Sequence, residues 1–325
     1  MISWSWIKSQ NINFEPGITC RLKCAGCNMR SDGMSKKNNP EKFKSQAWDR
    51  RYNIPLEKYK VIFEVFKGYE FCGNLSDPIY HPDFIDTLKY MKGRKHSVVF
   101  HTNGSGKSKE WWTQVFSLCK DEDWKWTFAL DGLPKDSHIY RINQDGEQVW
   151  EMMKLGMEME MNILWQWIVF NYNQYDIDQG KMMAEHYGMR FDYFHSTRWD
   201  TPFLKSLKPD EKHTTIARKN TGGGLLVPDC LATHLTKDIM FNSMGYFIPC
   251  CEKDQYVESM QKRGFYQKKF HIDNLHTVED IKNVFMSDTW QDFWQGLIND
   301  PSNAPAQCQQ FCRKLNYVKD PKGFV

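Results

Sequence analysis

From residue 12 to about residue 195, the apolar positions alternate between two periods. Runs rich in β-branched and aromatic residues predict strands at Asn13–Thr19, Tyr69–Cys72, Ser97–Thr102, Trp126–Asp131, Ile163–Phe170 and Arg190–Phe194. The segments between them carry apolar residues at helical spacing. Leu56, Tyr59, Ile62, Phe63 and Phe66 mark Leu56–Phe66. Pro82 suits the first turn of a helix continued by Phe84–Met91. Glu147–Leu155 and Ile177–Tyr187 follow the same pattern, and Gly188 stops the second. Alternating strand and helix implies βαβ units and a parallel sheet. Roughly six units fit before residue 200, too few for a closed eight-fold barrel.

Residues 196–229 break the alternation. Pro202, Pro209 and Thr221-Gly222-Gly223-Gly224 read as a connector. A second region starts at Cys230. It predicts a hairpin, Asp238–Asn242 and Tyr246–Ile248 around Met244-Gly245, then a helical stretch from about Val278 to Ile298. The expected division is residues 1–203 and 204–325, the second part a small α+β domain. Repeats beyond the βα period and low-complexity tracts are absent from the sequence.

Composition narrows the class only a little. With 325 residues, 41% hydrophobic and 26% charged, the chain reads as an ordinary soluble globular protein. A net charge of +3 gives nucleic acid no electrostatic footprint. No apolar run approaches the ~20 residues that span a bilayer, and the N-terminus lacks a signal-peptide pattern. The ten cysteines are therefore expected in a reducing cytoplasm, where clustered thiols favour metal over disulfide.

Cys20, Cys24 and Cys27 change the picture most. They form Cys-x3-Cys-x2-Cys directly after the first predicted strand. Three thiolates on one loop can hold three irons of a [4Fe–4S] cube and leave the fourth open for chemistry; structural zinc sites and electron-transfer clusters usually close with four protein ligands. With ten cysteines in 325 positions, this spacing arises by chance in about one chain in a hundred, so other segments must support it.

Three do. The second strand runs into Phe71-Cys72-Gly73-Asn74-Leu75-Ser76-Asp77-Pro78, followed by His81-Pro82-Asp83-Phe84. The third ends His101-Thr102-Asn103-Gly104, and the fourth ends Leu130-Asp131-Gly132 with Tyr140-Arg141 beyond it. Together with the cysteine triad, this resembles the radical S-adenosylmethionine (radical SAM) superfamily. The resemblance implies a partial (β/α)6 barrel with ligands at the carboxyl ends of the strands. It also implies reductive cleavage of S-adenosylmethionine to a 5′-deoxyadenosyl radical, which takes a hydrogen from substrate.

The implied cofactor contacts are Gly73, Asn74, Ser76, Asp77, Thr102, Asn103, Asp131, Arg141 and Ile168, the last from the fifth strand. Alternatives stand beside them: a strand-to-helix turn for Asp77, a common Asn-Gly turn at 103–104, an ion pair for Arg141, and barrel packing for the fifth strand. Relatives usually carry an aromatic just before the third cysteine; here the residue is Gly26, so adenine stacking must come from elsewhere.

The remaining cysteines form a second set. Cys230, Cys250, Cys251, Cys308 and Cys312 resemble the truncated auxiliary-cluster domain called twitch, a shortened relative of the SPASM domain. That implies one auxiliary [4Fe–4S] cluster on Cys230, Cys250, Cys308 and Cys312, with Cys251 spare; structural zinc is the alternative. Cys72 and Cys119 are expected in the core.

The expected function is a radical SAM oxidoreductase-type enzyme. It would oxidise or cross-link a peptide or small molecule, supplied with electrons by a flavodoxin- or ferredoxin-type reductant. The rival is a non-catalytic iron–sulfur or zinc-binding electron-transfer protein. Residues 29–54, rich in Lys and Arg, are either a cationic lid or a solvated loop. Only 19 residues precede Cys20, which argues against a leader-peptide domain there.

Overall fold

The computed structural model describes residues 2–27, 53–73, 75–196, 199, 201–213, 225–226, 239–250, 257–300, 304–305, 308 and 313–314. Six parallel strands dominate: β1 Asn11–Phe14, β2 Gly68–Phe71, β3 Ser97–Thr102, β4 Trp124–Ala129, β5 Asn162–Val169 and β6 Arg190–His195. They lie side by side in chain order, as right-handed crossovers through helices allow. The crossing helices include α3 Phe84–Met91, α4 Lys109–Cys119, α5 Gly146–Glu158 and α6 Ile177–His186. The expected partial barrel is the observed architecture.

The strand ends differ from the pattern reading for local reasons. β1 stops at Phe14 because Pro16 has no N–H to continue the ladder. β4 begins two residues early, at Trp124, and releases Leu130–Gly132, with Gly132 at φ +116°. Leu56–Phe66 is not one helix. It is a short α-helix, α2 Leu56–Tyr59, followed by a 3-10 turn over Lys60–Glu64. After two short helices, α7 Pro202–Ser206 and α8 Val257–Lys262, the long stretch from Val278 is two helices, α9 Val278–Phe285 and α10 Asp288–Asn299, divided at extended Ser287. α4 carries buried Trp112, Val115, Phe116 and Cys119 behind the N-cap Ser108, whose side chain accepts from Trp111 N.

The expected hairpin forms as β8 Met240–Phe241 and β9 Phe247–Ile248, after a short β7 at Leu225–Leu226. β8 pairs parallel with β1, Asn13 opposite Met240, so the hairpin extends the barrel sheet to eight strands. Asn242 makes its turn: its side-chain oxygen accepts from Met244 N and Tyr246 N at 3.1 Å. α9 and α10 pack behind this edge, where Phe285 meets Phe66 and Phe247. The N-terminal helix, α1 Trp4–Lys8, closes the same corner through Trp6 against Trp294. Among the described residues no helix is long and apolar enough to cross a membrane.

The two faces of the sheet differ. One face presents Phe14, Tyr69, Phe71, Phe100, Trp126, Phe128, Trp165 and Trp167, all buried beneath the helices. Phe84, Trp112 and Trp150 meet them from the helix layer. Because successive strand residues point to opposite faces, Asn13, Glu70, His101, Thr127 and Gln166 share the other, concave face.

Candidate active site at the carboxyl ends of the strands

The cysteine loop lies at the carboxyl end of β1. Asp77 N donates to Thr19 O at 3.0 Å and Lys23 N donates to Ile142 O at 3.0 Å. These bonds tie the loop to the segments after β2 and β4. Inside the loop, Cys27 N donates to Cys24 O at 3.1 Å. All three thiols are half-buried. Burial, with Asp77 adding to it, pushes Cys20 up to about 12. Burial also raises Cys24, opposed by the nearby Arg141 guanidinium. For Cys20 and Cys24 burial thus favours the neutral thiol, and a bound cation would favour the thiolate.

Three soft sulfur donors on one loop fit an iron–sulfur cube, in which each sulfur meets a different iron. Among the described residues no three Cys, His, Asp or Glu side chains converge on the position of a single metal ion.

Asp77 is the hub beside them. It is 5% exposed, and its carboxylate accepts from Thr102 Oγ1 at 2.9 Å, Asn103 N at 2.6 Å and Asn103 Nδ2 at 2.5 Å. Burial pushes its pKa up to about 6, and these donors limit the rise. Asp77 thus joins the ends of β2 and β3 and aims the Asn103 amide, whose Nδ2 lies 3.7 Å from Cys20 Sγ. Ser76 is held differently: its N and Oγ donate to Glu15 Oε1 at 2.8 and 2.9 Å. Gly73 permits this turn, since a Cβ there would lie 1.7 Å from Ser76 O. Asn74 lies outside the described residues.

A second hub sits across the loop. Arg141 Nε and Asp131 Oδ2 approach to 2.7 Å as an ion pair, at an angle short of a hydrogen bond. Asp131 is fully buried, and its Oδ1 accepts from Ile168 N at 2.7 Å. One carboxylate therefore links the end of β4 to β5 and to Arg141. Gln144 bridges the two hubs by donating to Asn103 O at 2.8 Å and Ala129 O at 3.0 Å.

Gly26 has a physical explanation. A Cβ on it would lie 2.7 Å from the Tyr140 hydroxyl. Tyr140 stacks on Phe170 with ring centres 4.4 Å apart, and Phe170 stacks on Tyr172. Ile168, Cys24 and Ala25 pack against this small cluster. An aromatic ring thus comes to the cysteine loop from the segment after β4.

Several polar residues here were not read from the sequence: Glu15, Tyr80, Gln144, and the pair His101 and Glu70 on the concave face, whose Nε2 and Oε1 lie 2.7 Å apart. Alternation alone marks which face they share; on it Glu70, His101 and Gln166 stay partly exposed while Asn13 and Thr127 are buried. Cys119 is core, as expected, whereas Cys72 is half-buried.

Of the second cysteine set, Cys308 is buried and Cys250 half-buried. Cys230, Cys251 and Cys312 lie outside the described residues, as does most of residues 29–54. A last strand, β10 Arg313–Lys314, pairs antiparallel with β7, Arg313 opposite Leu226.

No protein-family model and no curated protein matches the chain. Solved structures do. Streptococcus suis SuiB bound to S-adenosylmethionine superposes with TM-score 0.61 at 12% identity, over 90% of this chain and 68% of SuiB. SuiB bound to its precursor peptide SuiA gives 0.58 at 12% identity, over 88% and 66%. anSMEcpe with bound S-adenosylmethionine and Cp18Cys peptide gives 0.52 at 12% identity, over 87% and 81%. This chain thus spans about two thirds of SuiB. The parallel sheet, the cysteine loop after its first strand and these superpositions agree: the chain has the fold of the radical SAM enzymes.

Proposed function

We propose that the protein is a radical SAM enzyme acting on a peptide. The observation that carries this reading is the cysteine loop at the carboxyl end of β1, between the Asp77 and Asp131–Arg141 hubs. Cys20, Cys24 and Cys27 would hold a [4Fe–4S] cluster and leave one iron for S-adenosylmethionine. Together, a bound cluster and cofactor would supply one-electron cleavage of the C5′–S bond and hence radical chemistry.

The chain's own residues do the positioning. Asp77 fixes Thr102 and Asn103. Asp131 orients Arg141, whose remaining guanidinium donors suit a carboxylate. Gly73, Ser76 and Ile168 place backbone and apolar surface along the same rim. The concave face, with the partly exposed Glu70, His101 and Gln166, would offer a substrate polar contacts.

Peptide is the substrate class favoured because SuiB and anSMEcpe, which share the fold, bind peptides. An auxiliary cluster on Cys230, Cys250, Cys308 and Cys312, within residues 204–325, is part of the proposal. The β7–β10 pairing supports it: Leu226 precedes Cys230 by four residues and Arg313 directly follows Cys312. A cluster held there would supply a one-electron acceptor for a substrate radical.

Anaerobic reconstitution should give about eight irons per chain for two cubes, or about four irons and one zinc if the second site takes zinc. Reduction in the presence of S-adenosylmethionine should yield 5′-deoxyadenosine, and Cys24→Ala should abolish it. No 5′-deoxyadenosine from protein with confirmed cluster and bound cofactor would overturn the enzyme reading.

A further inference from the structure

Arg21 and Lys107 crowd one tyrosine beside the cysteine loop. Arg21 Cζ lies 5.7 Å from the centre of the Tyr80 ring, and Lys107 Nζ lies 5.6 Å from it. Lys107 Nζ is also 4.6 Å from the Trp111 ring. Neither cation forms an ion pair within 4 Å of a carboxylate among the described residues; the buried Asp77 carboxylate acts on Lys107 only through space. Burial and the neighbouring Arg21 both lower the pKa of Lys107. Lys23 and Lys109 are exposed nearby in sequence. Glu110, the acidic neighbour, is engaged with Ser108. Two like charges held together on aromatic faces favour an incoming anion.

A second observation gives this patch a direction. The Tyr80 hydroxyl meets Asn103 Oδ1 at 3.2 Å and donates to Ser105 O at 2.7 Å. Asn103 Nδ2 lies 3.7 Å from Cys20 Sγ. Two side chains therefore connect the cationic surface to the first cysteine sulfur. Arg21 is exposed and Lys107 half-buried over the buried Tyr80 ring, so the charges stand at the surface, within reach of a large partner.

We propose that Arg21 and Lys107 are the docking site of a small acidic one-electron donor protein, which delivers its electron across Tyr80 and Asn103 to the Cys20 side of the site. This rests on the iron–sulfur reading above. The donor is oxidised by one electron and the cluster is reduced by one; no bond forms or breaks.

The probe is a flavodoxin. Calorimetric titration of oxidised flavodoxin into the reconstituted enzyme should show binding that weakens as salt rises. Arg21→Glu with Lys107→Glu should weaken it about tenfold or more and flatten the salt dependence. Arg21→Lys should retain most of the affinity. With reduced flavodoxin, 5′-deoxyadenosine formation by the double variant should slow in parallel, while formation driven by dithionite stays at the wild-type rate. Matching thermal unfolding of variant and wild type separates docking from misfolding. Unchanged flavodoxin binding and unchanged flavodoxin-driven cleavage in the double variant would overturn the docking site alone. Failure of dithionite-driven cleavage in the wild type would instead remove the iron–sulfur reading beneath it.

Discussion

The two faces of the parallel sheet use the same strands for different work. The helix-covered face is a continuous aromatic layer in which Phe100 and Trp126 stack at 4.4 Å and Trp112 crosses Trp126 edge-on at 5.5 Å. The concave face carries Glu70, His101, Thr127 and Gln166 at the intervening positions. Burial of apolar area stabilises the first face. The second would be a poor core, since buried polar groups need partners. Under the proposed function the contrast separates stability from binding: a change of one residue in register would move a side chain from one face to the other.

The largest expected effect breaks the aromatic face. Trp126→Ala removes a fully buried ring with aromatic neighbours on several sides. It should cost about 3–5 kcal/mol, seen as a fall in the urea midpoint. A small loss would mean that the layer is loosely packed and that the contrast between faces is weaker than drawn.

Asp77 sharpens the boundary between the faces. Its folded pKa of about 6 lies above its unfolded value of about 3.9. The folded state therefore binds the extra proton between these values. Asp77's contribution to stability is fully present below pH ~4 and lost as pH rises through ~6. Two pKa units correspond to about 3 kcal/mol at most, as an order of magnitude. Asp77→Asn should remove this dependence, measured as the difference between wild-type and variant urea midpoints across that range. Because burial also raises Asp131, the difference is the informative quantity. Identical pH profiles would mean that Asp77 ionises as a solvated carboxylate does.

Sequence pattern alone made much of this legible. The βα alternation, the strand cores and the cysteine loop after β1 are local features, and periods of two and 3.6 residues expose them. The split of the 278–298 stretch was hidden because Ser287 interrupts the helix without glycine or proline. The joining of β8 to β1 was hidden because it pairs residues more than 200 positions apart, Asn13 with Met240. At the site, the motifs mark Asp77, Thr102 and Asn103 as expected cofactor contacts, yet their bonds to one another are fixed only by tertiary placement. Glu15, Gln144 and Tyr80 carry no motif, and their roles come from what the fold sets opposite them.

Gly26 gives a smaller and more local test. Gly26→Ala places a Cβ about 2.7 Å from the Tyr140 hydroxyl, an overpacking that should cost about 1–3 kcal/mol. Removing the hydroxyl with Tyr140→Phe should restore much of the loss in the double variant, read as a double-mutant cycle in urea. Additive losses would show that the alanine strains the loop backbone rather than meeting Tyr140.

The smallest effect on stability belongs to the concave face. His101 and Glu70 form a half-buried pair, the imidazole 27% exposed, so His101→Gln should change stability by about 1 kcal/mol or less. The glutamine amide keeps a donor toward Glu70, and the aromatic layer on the opposite face is untouched. The variant should also cleave S-adenosylmethionine at the wild-type rate when no substrate is added, because His101 points away from the Asp77 hub; β3 alternates, and Thr102 alone of the two bonds Asp77. Thermal unfolding and 5′-deoxyadenosine formation without substrate check both expectations on the same preparation. A stability loss approaching that of Trp126→Ala would mean that the concave face is packed core, and its polar residues would then be structural partners rather than the lining of a substrate chamber.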